Sequence, residues 1–215
     1  MPRKYDMSRR AAAREETRRR IVEATAKLHG ERGVFGTSWR DIAEAADVSV
    51  ATVYSHFPSL DQLLPACGRL VMERARPPSP RSAGDVIGDA DDLHERLIRV
   101  ARELFRFYER GGPHLDVDAR ERALPGMREW EESQRATVLA FVREALRGHA
   151  DARKARLISA FFDLPTYRGL RTRGVSPNKA AETVADVAAC LLARGERSIP
   201  VNGASDGKSR SQDSA

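Results

Sequence analysis

The sequence predicts an all-α fold in which strands are essentially absent. Three observations carry that expectation. Apolar residues recur at helical spacing in one segment after another, from Ile21, Ala24 and Leu28 near one end to Val184, Ala188 and Leu192 near the other. The stretch TSWRDIAEAADVSVATVYSHF, residues 37–57, reads as two short helices crossing at a large angle over a few-residue turn. Ser, Asp, Gly and Pro fall where such helices start and stop.

In order, residues 1–14 (MPRKYDMSRRAAAR) form a basic arm without core-forming periodicity, expected to be flexible when free. Such an arm either reaches phosphates and a minor groove or is simply solvated. The first helix is expected over residues 15–32, with Ile21, Ala24, Thr25 and Leu28 inward and Gly33 as its left-handed stop. Arg18, Arg19 and Arg20 then lie near its start, against the helix dipole. Phe35 and Trp39 are expected to close the small core, and Ser38 with Asp41 has capping-box spacing.

Ile42, Ala43 and Ala46 give one helix of the 37–57 pair its apolar face, and Val53 and Phe57 give the other. Ala43 and Ala46 are small enough for a close crossing. Ser49, Ala51, Thr52, Tyr54, Ser55 and His56 are left on or beside the outer face, compact groups suited to a nucleic-acid groove. On spacing alone, the alternative is an ordinary helical hairpin inside an α-domain, the less favoured of the two readings. No Arg, Asn or Gln stands on the second helix for bidentate base reading, so discrimination would rest on few direct contacts plus DNA shape.

Pro58 ends that helix. A linking helix is expected to about residue 76, with Pro65 early in it, and residues 77–90 (PPSPRSAGDVIGDA) read as a loop. Beyond it, helices are expected over residues 92–110, 127–147, 151–164 and 177–194, with a basic turn or short helix at 167–173. Gly195 stops the last helix, and the Ser-, Gly- and charge-rich residues 196–215 read as a disordered tail.

With 215 residues the chain can bury a real core. A net charge of +6 points weakly to a polyanionic partner. Cys67 and Cys190 make no disulfide framework and fit a reduced, cytoplasmic setting, both read as buried small hydrophobes. No apolar run would span a bilayer, and no secretory signal follows the basic N-terminus. His114, Asp116 and Asp118 lie close together, but their spacing matches no rigid metal-ligand set, and no metal or cofactor is expected.

The segments TRRRIVEATAKL, ERGVFGTSWRDIAEAADVS and ATVYSHFPSLDQLL, from about Thr17 to Leu64, together resemble the DNA-binding domain of the tetracycline-repressor (TetR) family. About a quarter of the chain is covered. The resemblance implies a three-helix head, an all-α ligand-binding and dimerisation body, and repression relieved by a small molecule. Three residues depart from the family pattern. Asp47 stands where the turn usually has Gly, His29 where Phe is frequent, and Leu60 where a phosphate-holding Lys is common.

On that basis residues 15–58 are expected to bind double-stranded operator DNA, and residues 59–195 to bind a small, largely apolar effector and to dimerise. The resemblance makes Thr37 and Arg40 phosphate contacts. The full DNA surface is then Thr37, Ser38, Arg40, Ser49, Ala51, Thr52, Tyr54, Ser55 and His56. It also pairs the helices near 151–164 and 177–194 with their copies in a homodimer. Phe105, Tyr108, Trp130, Phe141 and Phe162 either line an effector pocket or are plain core. His94 and Asp163 are candidate polar handles. Two other readings stay open, an effector-independent DNA binder and an all-α enzyme carrying a helix-turn-helix. Against the enzyme, there is no nucleophile motif, Gly-rich phosphate loop or His/Glu metal pair.

Overall fold

The computed structural model describes residues 7–194. Among them are ten α-helices and no strand. They are α1 (Met7–Arg32), α2 (Trp39–Ala45), α3 (Val50–His56), α4 (Leu60–Ala75), α5 (Ala83–Ile87), α6 (Leu93–Gly111), α7 (Pro125–Ala145), α8 (Ala152–Ser159), α9 (Leu164–Arg171) and α10 (Pro177–Arg194).

Two main cores form. The smaller joins Ile21, Val22, Ala24 and Leu28 of α1 to Ile42, Ala43, Val53 and Phe57 around the turn, and takes Leu63 and Ala66 from α4. The larger is built on α6, which buries Leu97, Val100, Leu104, Phe105, Phe107 and Tyr108 against α4, α5, α7 and α10. The small face of α10 (Ala180, Ala181, Ala185, Ala188) lets that helix lie close along α6. Helix α4 belongs to both cores, so the head cannot move without moving one wall of the body.

Several expectations are corrected. Residues 7–14 are helical rather than a flexible arm. Ala11–Ala13 are the best helix formers, and Arg and Glu rank close behind them. Arg18, Arg19 and Arg20 therefore sit mid-helix, and the dipole argument against them lapses. Arg19 instead pairs with Glu16 at 2.6 Å and Glu23 at 2.8 Å. Phe35 does not close the core; it is 42 % exposed, with the Arg120 guanidinium 4.3 Å over its ring.

The loop expected at 77–90 contains a 3-10 turn, Pro80–Ser82, and then α5, whose Ala83 and Ile87 are buried. The helix expected over 151–164 ends as α8 at Ser159, and the short helix expected at 167–173 begins earlier, at Leu164, with Pro165 in its first turn and Asp163 capping it by accepting from the Thr166 N–H at 3.2 Å. Cys190 is exposed, unlike buried Cys67, whose thiol burial pushes up to about 11. The remainder of the arm, Gly195 and the tail expected at 196–215 lie outside the described residues.

Candidate nucleic-acid interface and body cavity

The two-helix unit is set by short-range bonds. Ser38 Oγ accepts from the Asp41 N–H at 3.2 Å, and the Asp41 carboxylate accepts from the Ser38 N–H at 2.9 Å, a complete capping box. That bonding also holds the half-buried Asp41 carboxyl below its usual range. Ser49 caps α3 by accepting from the Thr52 N–H at 3.0 Å, and its hydroxyl lies 2.8 Å from that of Thr52. Asp47 takes the left-handed conformation, φ 53°, that the turn demands.

On α3, Val53 and Phe57 are fully buried while Ala51, Tyr54 and Ser55 are exposed, and Thr52 and His56 are half-buried beside them. Tyr54 stacks on Trp39 of α2 with ring centroids 4.8 Å apart, so an aromatic pair joins the two helices on their outer side. Ser38 and Arg40 are exposed at the start of α2. Thr37 is half-buried; its hydroxyl donates to Gly33 O at 2.9 Å and its N–H to Val34 O at 3.4 Å. Both of its donors are thus engaged within the chain, and only its oxygens stay open to a donor.

His56 sits at the end of α3, its pKa lowered by partial burial and then by the charges of Arg14 and Arg18. The helical start of α1 therefore brings two arginines beside the recognition helix. Arg18 lies 4.8 Å over the Phe57 ring. Arg14 belongs to the basic arm by sequence, and the helical conformation of that segment is what fixes it beside α3.

The body holds a cavity of about 560 Å³ between α6, α7, α8 and α9. Of the expected lining residues, Tyr108 and Trp130 face it, whereas Phe105, Phe141 and Phe162 are core side chains away from it. Phe107 and Leu115 line it without having been expected. Tyr108 is already engaged, donating to Phe162 O at 3.0 Å, and burial raises its pKa strongly. Asp163 lies at the cavity. His94 does not, and meets Asp186 of α10 at 2.8 Å on the surface.

The segment between α6 and α7 docks on the head through three residues. His114 Nε2 donates to Ala26 O at 2.7 Å. Arg120 covers Phe35. Glu121, 7 % exposed, accepts from the Val34 N–H at 2.6 Å and the Asp118 N–H at 3.1 Å. Two glycines of the head make room. A Cβ at Gly30 would stand 2.9 Å from the His114 ring, and one at Gly33 3.0 Å from Glu121 Oε1. His29 lies close by, 3.9 Å from Cys67 Sγ, and burial lowers its pKa to about 4. The candidate metal ligands are occupied otherwise, Asp116 by Arg168 and Asp118 by the backbone of Arg120 and Glu121.

Residues 21–67 match the sequence profile of the bacterial regulatory proteins, tetR family. The HTH-type transcriptional repressor Rv3405c of Mycobacterium tuberculosis is 35 % identical over 107 residues, 49 % of this chain and 56 % of that protein, so the match spans about half the relative's length. A transcriptional regulator from Rhodococcus sp. Rha1 shares the fold at 18 % identity with a TM-score of 0.57, over 83 % of this chain and 96 % of that one. The multidrug binding protein EbrR, solved with imidazole, does so at 24 % identity with a TM-score of 0.54, over 80 % and 93 %. Residues 21–67, with their capped two-helix unit and left-handed turn, thus carry the likeness to the tetR family of bacterial regulatory proteins, and the all-helical chain as a whole shares its fold with the two solved proteins.

Proposed function

We propose that this chain is a homodimeric, ligand-responsive DNA-binding transcription regulator, a repressor that a small molecule releases from a palindromic operator. The observation that carries the reading is α3 itself. It is capped, held by Val53 and Phe57 in its own core, and turns Ala51, Tyr54 and Ser55 to solvent beside Arg14 and Arg18. Residues 15–58, extended by the helical 7–14, are the DNA-binding part, and residues 59–195 the ligand-binding and dimerising part. The relative from M. tuberculosis is named a repressor, and EbrR a multidrug binding protein, which agrees with the two roles.

Dimerisation fits the exposed apolar residues Leu157 on α8 (64 %) and Leu191 on α10 (42 %), which a partner copy would cover. The response to ligand has a short route. Leu115 and Arg122 line the cavity, and their chain neighbours His114 and Glu121 bond the head. A molecule that displaces Leu115 or Arg122 shifts these two anchors and, with them, the spacing of two heads.

Footprinting of the purified protein on the DNA flanking its gene, across a range of salt, tests the reading. Protection of a palindromic stretch with a steep salt slope is expected. Equal binding of random DNA with no protected stretch would refute it.

A further inference from the structure

We infer that the body cavity takes an amphipathic anion, an apolar body ending in a carboxylate or phosphate. The inference rests on the effector-site reading above and names the chemistry of its ligand. The floor of the cavity is apolar and buried, made by Phe107, Leu115 and Val138. Its polar lining is unbalanced, with four arginines (Arg122, Arg135, Arg156 and Arg168) against two carboxylates (Glu131 and Asp163).

The pairing within the lining leaves cations over. Arg168 is engaged by Asp116, and Arg122 by Glu131 at 2.9 Å. Arg135 reaches the same Glu131 only at 3.9 Å, and Arg156 forms no ion pair among the described residues. Asp163 forms no ion pair among the described residues; its carboxylate accepts the Thr166 N–H as the cap of α9, and the four arginines of the lining outnumber its carboxylates by two. Two guanidiniums thus stand at the edge of an apolar floor, each offering forked donors that match a carboxylate or a phosphate.

A further donor points the same way. Trp130 lines the cavity, and its indole Nε1 is shielded from solvent with no hydrogen-bond partner. A buried donor left unpaired is unfavourable, and an acceptor atom on a ligand would satisfy it. Among the described residues, no buried side-chain acceptor of the lining is left unpaired to offer a cation the same welcome. A volume of about 560 Å³ lies within the range of small-molecule sites.

The test is calorimetric titration of the full chain with three ligands of matched tail, namely decanoate, decanol and decyltrimethylammonium. The same titrations are run on the double variant Arg135→Gln, Arg156→Gln and on Trp130→Phe. Both arginines are exposed and neither holds a close ion pair, so the double variant keeps its fold. Decanoate is expected to bind about tenfold tighter than decanol, the worth of one charge-assisted hydrogen bond, and the cation most weakly. The preference for decanoate should shrink to under about threefold in the double variant, and Trp130→Phe should weaken decanoate several-fold. Decanol or the cation binding as tightly as decanoate would overturn the anion and leave the cavity as an effector site. A preference for decanoate that survives the double variant would overturn the assignment of its head group to Arg135 and Arg156. Saturable binding of none of the three would remove the effector site, and the inference with it.

Discussion

Glu121→Ala probes the junction between head and body. Glu121 is 7 % exposed and accepts two backbone N–H groups, from Val34 at 2.6 Å and Asp118 at 3.1 Å. A hydrogen bond to a charged group contributes about 1.5–3 kcal/mol, and a buried donor that loses its partner costs about 1–3 kcal/mol. Val34 is only half-buried, so water recovers part of its share. The expected loss is about 2–4 kcal/mol, which for a chain of this size lowers the midpoint of unfolding by roughly 4–16 °C. Thermal unfolding followed by circular dichroism reads the global effect, and amide hydrogen exchange at Val34 reads the local one. A midpoint moved by less than about 1 °C, with Val34 still protected, would refute the anchoring role of Glu121.

Other perturbations follow from the same geometry. Val53→Ala, at a site with no exposure, should destabilise by about 1–2 kcal/mol in urea titration. Tyr54→Ala should weaken operator binding and also cost about 0.5–1.5 kcal/mol, because it removes the stack on Trp39; an unaltered operator affinity would put Tyr54 outside the interface. His29 has a folded pKa of about 4 against an ordinary 6.5. The unfolded chain therefore binds more protons between those values, so stability is complete above about pH 6.5 and is lost as pH falls toward 4, and His29→Phe should flatten that part of the profile. Alkylation of the native protein should mark Cys190 and spare Cys67, and dimerisation through α10 should slow the marking of Cys190 as concentration rises.

Where a feature depends on a few neighbouring residues, the sequence showed it. The Ser38–Asp41 box, the Ser49 cap, the left-handed Gly33 and Asp47, and the inward pair Val53 and Phe57 are all of that kind. The misses came where distant segments decide. Phe35 is apolar and near the head core, yet Arg120 from the body holds it at the surface. Helix α6 is surrounded, burying Ile98 and Phe107 as well as its main stripe, so periodicity understated its inner face and Phe107 escaped notice. Glu121 sits in an ordinary polar stretch, and nothing local marks it as the acceptor for a backbone group 87 residues away. Pro165 can stop a helix or start one, and the cap made by Asp163 decides between the two.

Helix α1 is 26 residues long, about 39 Å at 1.5 Å per residue, and is formed before any partner arrives. Arg14 and Arg18 are therefore carried on a rod rather than a string. An arm that orders on contact leaves a calorimetric mark, a large negative heat-capacity change with an entropic penalty from chain ordering. A preformed rod leaves little of either. Operator association by this head should show a heat-capacity change close to that of its docked surface alone, and an affinity that varies gently with temperature.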